Sequence, residues 1–252
     1  MRIKKRIHVA PLGYELDRIV EPLVEYQADE FVLVVRKNET YGRDHQDNVE
    51  KKLMEEGIPY VVEEAELLDL VDCISVFGRI VHNLKKQGHE VYVNISTSTS
   101  ISAVGASFAA MLWDAVPYYA RPEREVREHE RKPGEPMSQG LKDVILVQSL
   151  HFEMPDVELL RILKFISTNA RGKDGVVKNK EVMEHLRKEG YLELDRRVKN
   201  RSQALNKKFR ERYRDQLEVR WGFVFLMGET RDRRIGLTKK GEMYLKMFEY
   251  LV

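Results

Sequence analysis

Through the first 150 positions, short unbroken apolar runs alternate with longer stretches in which apolar residues recur at helical spacing. IHVAPL from Ile7 reads as a strand, and YELDRIVEPLVEYQA follows with Ile19, Leu23 and Tyr26 spaced along one helix face. FVLVV from Phe31 is a second strand, and DHQDNVEKKLMEEG is a helix that stops at Gly57. IPYVVEE is a third strand, Glu66 to Lys86 a long helix ending at Gly88, and VYVNI a fourth strand. Ser98 to Trp113 is the next helix, VPYYAR a fifth strand, and DVILVQ from Asp143 a sixth. Such alternation predicts an α/β class domain, a doubly wound and mainly parallel sheet.

From about residue 153 the pattern changes. Met154-Pro155-Asp156 opens a helix with Val157, Leu160, Leu163 and Ile166 on one face, flanked by Leu159 and Phe165. Gly172 and Gly175 mark a loop, and Asn179 to Arg187 is a second helix that ends at Gly190. A third helix starts after Asn200 or Ser202, with Leu205, Phe209 and Tyr213 as its buried stripe. Glu218 to Met227 (EVRWGFVFLM) reads as a strand, Gly228 to Arg234 as a turn and Ile235 to Thr238 as a returning strand. Lys239 to Leu251 closes the chain as a helix. Three helices, a hairpin and a closing helix are the order of an α+β winged helix-turn-helix domain, so the expected domains are 1–152 and 153–252.

Charge sharpens this division. The 252 residues sum to a net charge of +2, yet residues 151–252 hold 24 lysines and arginines against 16 acids, and residues 1–150 hold 19 against 25. A basic second half points to a polyanionic partner, double-stranded DNA for this domain type. Cys73 is the only cysteine, so neither an internal disulfide nor a cysteine-based zinc site can form within one chain, and a reducing cytoplasm fits. No apolar run reaches 18 residues, and the basic N-terminus is followed by too short an apolar stretch for a signal peptide, so no membrane partner is expected.

In a doubly wound sheet, ligands sit beyond the carboxyl ends of the strands where the strand order reverses. If the order is Rossmann-like, that point lies between the first and fourth strands. The loops there are Pro11-Leu12-Gly13-Tyr14 and Asn94 through Ser100, each opening a helix whose free N–H groups and dipole favour an anion. Six hydroxyls fall in seven positions from Ser96 to Ser102. They are either helix caps or donors to a ligand rich in phosphate or ribose. Neither G-x-G-x-x-G nor G-x-x-x-x-G-K-[ST] occurs, and the seven histidines are scattered, so no dinucleotide, P-loop or metal site and no cofactor is expected.

The third helix of the second half is the candidate DNA reader. Gln203, Asn206, Lys207, Arg210 and Arg214 line the side opposite its apolar stripe, with Lys199 and Arg201 at its start. Arg231, Arg233 and Arg234 in the hairpin turn would reach phosphate or the minor groove.

Both halves together resemble CARF regulators, the CRISPR-associated Rossmann-fold proteins with a C-terminal winged helix. The resemblance rests on HVAPLGYELDRIVEP, VNISTSTSISAVGA and IGLTKKGEMYL. The first two are especially similar to an archaeal subgroup of transcriptional regulators. The resemblance implies a homodimer built through the Rossmann-like domains, with a cyclic oligoadenylate bound across the two-fold axis. By position its contacts would be Leu12, Gly13, Tyr14, Asn94, Ser96, Thr97, Ser98, Thr99 and Ser100. Better-known members carry glycines and a basic residue in the second loop, where this chain has Ser and Thr. The expected function is a ligand-responsive DNA-binding transcriptional regulator. The alternative is a ring nuclease or other phosphodiesterase acting on cyclic oligoadenylate.

Overall fold

The computed structural model describes residues 3–37, 42–130, 135–150, 152–195, 199–229 and 232–252. Five strands, β1 (Arg6–Pro11), β2 (Glu30–Arg36), β3 (Tyr60–Ala65), β4 (Glu90–Asn94) and β5 (Val116–Arg121), run parallel in the order β3-β2-β1-β4-β5. Between them run α1 (Leu16–Glu25), α2 (Arg43–Glu55), α3 (Leu70–Lys86) and α4 (Ser100–Leu112). After β5 the chain makes a short antiparallel pair, β6 (Arg124–Glu125) with β7 (Ser138–Gln139), and returns as β8 (Asp143–Leu146). β8 lies antiparallel beside β5 because no crossover helix intervenes to reverse its direction.

Alternation along the central strands sorts the core into two layers. Ala10, Phe31, Leu33 and Val35 pack with Ile19, Leu23, Val49 and Leu53 of α1 and α2. Ile7, Val9, Val32, Val34, Val91 and Val93 pack with α3 and with Ala106, Ala109 and Ala110 of α4. Burial, reinforced by Asp72, Asp69 and Glu66 nearby, pushes the Cys73 thiol in this second layer up to about 12, so it is held unreactive.

Element ends differ from the sequence pattern where side chains cap them. α3 starts at Leu70 rather than Glu66, because the Asp69 carboxylate accepts from the N–H groups of Val71 and Asp72. α4 starts at Ser100 rather than Ser98, because Thr99 and Ser102 form a reciprocal capping box.

The chain divides into two compact units, Met1–Phe152 and Glu153–Val252. The second contains α5 (Val157–Asn169), β9 (Val176–Lys178), α6 (Asn179–Lys188), α7 (Arg201–Phe209), β10 (Val224–Met227), β11 (Arg234–Leu237) and α8 (Lys239–Phe248). Its sheet is antiparallel in the order β10-β11-β9. The short β9 strand has no counterpart in the sequence reading. The strand expected from Glu218 is corrected at its start. α7 continues through π-helical turns at Arg210–Arg214 and Gln216–Arg220, and the strand begins only at Val224. Phe209, Tyr213 and Leu217 are all buried, so the apolar stripe carries the helix on. It ends at Gly222, whose φ of 65° suits a residue without Cβ.

Candidate functional site

β1 pairs with β2 on one side and β4 on the other, so the loops after β1 and β4 leave the sheet side by side. Thr97 Oγ1 donates to the Pro11 carbonyl at 2.7 Å, and Leu12 N–H donates to Val34 at 2.8 Å. Gly13 then meets Ser98 so closely that an added Cβ would lie 2.4 Å from the Ser98 nitrogen. Ser98 itself is held at φ 69°, a left-handed conformation that costs a residue with a Cβ.

The hydroxyls of this corner divide into two groups. Ser96 Oγ accepts from Ala120 N–H at 2.5 Å, Thr99 Oγ1 donates to the Leu67 carbonyl at 2.9 Å, and Ser102 completes the cap. With Thr97, these four tie the loop down. The Ser98 and Ser100 hydroxyls have no protein partner among the described residues. Asn94 also works internally: its amide donates to the Arg18 carbonyl at 2.8 Å and its oxygen accepts from Ser96 N–H at 2.9 Å.

Beside the corner opens a cleft of about 240 Å³. Leu12, Gly13, Tyr14, Ser98 and Thr99 line it, so five of the nine candidate ligand residues share one cavity. Asn94, Ser96 and Thr97 are turned into the protein, and Ser100 stands exposed on the first turn of α4. The far wall adds Arg36, His45 and Gln46, which the sequence reading did not select. Arg36 ends β2 at the carboxyl edge of the sheet, and its position after the FVLVV run was the available signal. Its Nε lies 3.2 Å from a Glu66 carboxylate oxygen. The His45 ring meets the Tyr14 ring edge-on at 4.5 Å. Leu12, Val35, Leu67, Leu68 and Met137 give the cleft an apolar lining, and Glu15, Arg36, Ser98 and Thr99 are among its polar residues. Among the described residues no group of three His, Cys, Asp or Glu could hold a metal ion.

In the second unit, Arg201, Gln203, Asn206, Lys207 and Arg210 are exposed along α7, with Lys199 exposed just before it. Asn200 caps the helix through Gln203 N–H. Asn206 Nδ2 donates to the Ser202 carbonyl at 2.9 Å, and Arg210 lies 3.6 Å from Glu211 and 3.9 Å from Asp215. Arg214 is not brought onto this face. Its side chain is 14% exposed and 3.4 Å from Asp215. The π-helical turn beyond Phe209 holds more residues per turn than an α-helix and displaces it from the expected line. In the hairpin, Arg234 pairs with Asp232 at 3.0 Å, and the Arg233 carbonyl accepts from Asn179 N–H at 3.0 Å. Arg231 lies outside the described residues. No helix among the described residues is long and apolar enough to cross a membrane.

Comparison with known proteins gives two family matches. Residues 6–125 match the HFX_2341_N-like N-terminal domain, and residues 158–249 match the DUF6293 C-terminal winged helix domain. The uncharacterized protein MJ1513 of Methanocaldococcus jannaschii is 28% identical over 219 residues, covering 77% of this chain and 64% of its own. Among solved structures, Can2 from Sulfobacillus thermosulfidooxidans in complex with cyclic tetra-adenylate aligns at a TM-score of 0.42 and 10% identity, over 97% of this chain and 64% of that one. Csm6 of Enterococcus italicus, bound to cyclic hexa-2'-fluoro-hexa-dAMP, aligns at 0.42 and 10% identity, over 86% of this chain and 55% of that one. The chain thus spans less than two thirds of the length of each of these proteins. Each half of the chain thus matches a model of its own, an HFX_2341_N-like N-terminal domain on the mainly parallel α/β unit and a DUF6293 C-terminal winged helix domain on the second unit.

Proposed function

We propose that the chain is a ligand-responsive, DNA-binding transcriptional regulator. Its N-terminal unit senses a nucleotide, a cyclic oligoadenylate on the family resemblance, and its winged helix binds double-stranded DNA. The observation that carries the reading is the contact of Gly13 with Ser98. It joins the β1 and β4 loops at the reversal point of the sheet and leaves the Ser98 and Ser100 hydroxyls, beside the first turn of α4, without a partner among the described residues. Hydroxyls and helix N–H groups are the donors a phosphodiester or ribose takes.

The exposed face of the same helix supports the homodimer of this reading. Ile101, Val104 and Phe108 are 40%, 46% and 39% exposed, and they recur at i, i+3 and i+7 along α4. Phe108 also packs against Phe152, with ring centres 5.4 Å apart. A two-fold axis along this stripe would set two corners side by side, the arrangement a cyclic ligand with internal symmetry needs. Titration calorimetry with cyclic tetra-adenylate tests the reading. One intact ring per two chains supports it, no heat at high protein concentration removes it, and recovery of a cleaved ring moves the protein to the ring-nuclease class.

A further inference from the structure

Arg18, in the first turn of α1, carries a charge into the interior. It is 8% exposed, and among the described residues it forms no ion pair. Its Nε donates to the Ala120 carbonyl at 2.8 Å, and its guanidinium carbon lies 4.9 Å from the centre of the Tyr119 ring. Its Nη2 is buried and has no hydrogen-bond partner among the described residues. Glu15, one turn earlier, is also buried yet makes no ion pair with it. A cation buried without a carboxylate is costly, and a polar nitrogen left unbonded adds to the cost.

Its position relative to the corner is set by a closed circuit of hydrogen bonds. Ser96 N–H donates to Asn94 Oδ1, Asn94 Nδ2 donates to the Arg18 carbonyl, Arg18 Nε donates to the Ala120 carbonyl, and Ala120 N–H donates to Ser96 Oγ. The guanidinium is therefore one residue removed from the Ser96 side chain. Residues 11–15 and 94–100 bring no cation of their own.

We propose that Arg18 adds a second charge to the nucleotide site, beside Arg36 of the cleft wall: a guanidinium held without a carboxylate so that a phosphodiester arriving at the Ser98 corner pairs with its Nη2. This rests on the corner being a nucleotide site. The Tyr119 ring, itself 38% exposed, stands over the guanidinium, so the proposal requires that ring to turn aside for the ligand. Guanidinium fits this task because its planar fork pairs with phosphate oxygens while one arm stays bonded to Ala120.

The test compares wild type, Arg18→Gln and Arg18→Lys by calorimetry with cyclic tetra-adenylate at several salt concentrations, alongside thermal midpoints without ligand. Loss of one charge-assisted bond predicts binding about 10- to 100-fold weaker in Arg18→Gln. Its salt dependence should be shallower, and Arg18→Lys should keep the wild-type salt dependence. Without ligand, Arg18→Gln should melt at or above the wild-type midpoint, because the buried charge is gone. Wild-type affinity and salt dependence in Arg18→Gln overturn the assignment, whatever the midpoint does, and leave the nucleotide reading standing. A wild-type protein that binds no ring removes the nucleotide reading and the assignment with it.

Discussion

The Ser98 nitrogen lies 2.4 Å from where a Cβ on Gly13 would stand, so the two loops can touch only because residue 13 has no side chain. The clash is with backbone, which no rotamer change relieves. Gly13→Ala should splay the loops, at a cost of about 1–3 kcal/mol typical of overpacking. Affinity for cyclic tetra-adenylate should fall at least about tenfold, the equivalent of about 1.4 kcal/mol. Calorimetry and thermal melting check both effects, and wild-type affinity in this variant would show that the contact does not shape the site.

Neighbouring hydroxyls should behave oppositely. Thr99 caps α4 and bonds Leu67, so Thr99→Ala should lose about 1–2 kcal/mol of stability. Ser98 has no protein partner among the described residues and sits at φ 69°, so Ser98→Gly should match or exceed wild-type stability while weakening the ligand. Equal loss of stability in the two variants would contradict the division of the corner into structural and ligand-facing hydroxyls.

Acid should destabilise the N-terminal unit through His8. Burial, with a smaller push from Arg6, lowers its folded-state value from 6.5 to about 4. Its ring stacks on Tyr92, and its Nδ1 lies 3.1 Å from the Tyr118 hydroxyl. The unfolded chain therefore binds more protons between those values. Stability is complete above pH 6.5 and falls as pH drops toward 4, by up to about 3 kcal/mol. Thermal melts from pH 7.5 to 4.5 measure this. Substitution by Phe, His8→Phe, should flatten the fall, and an unchanged fall would assign the acid sensitivity elsewhere.

The α4 stripe makes a separate prediction. Val104 is 46% exposed between Ile101 and Phe108. Val104→Glu should leave the fold intact and convert a dimer to a monomer, read by sedimentation velocity at micromolar concentration. A dimer that persists would place the interface on another face.

On the DNA side, Gln203 is exposed one turn before Lys207 on α7. Gln203→Ala should relax sequence preference at about 1–3 kcal/mol for the base pair read. Lys207→Ala should weaken binding to all sequences and make its salt dependence shallower. Binding assays on selected and scrambled duplexes separate the two, and unchanged binding in both variants would contradict docking through α7.

The alternation of apolar runs and amphipathic helices made the α/β sheet legible, because parallel strands buried on both faces leave that pattern. Pairing of β1 with β4 followed from the strand order that pattern implies. The corner was legible as a place but not in its division of labour. Ser, Thr and Asn spell capping and ligand binding alike, and only the bonds of Ser96, Thr97 and Thr99 to Ala120, Pro11 and Leu67 separate the two roles. Arg36 and His45 reach the cleft from β2 and α2, by tertiary packing that no local spacing reports. Arg214 was misplaced for another reason. A straight helix was assumed, and its π-helical turn moves the side chain off the line through Gln203 and Lys207.

Linked nucleotide and DNA occupancy requires each ligand to change the other's affinity by the same factor. Fluorescence anisotropy of a duplex selected by the protein from a random pool, titrated with and without saturating cyclic tetra-adenylate, measures that factor directly. A change in DNA affinity of about 5-fold or more, in either direction, is the predicted result. Equal DNA affinity in both conditions, with the nucleotide shown to be bound, would contradict the account.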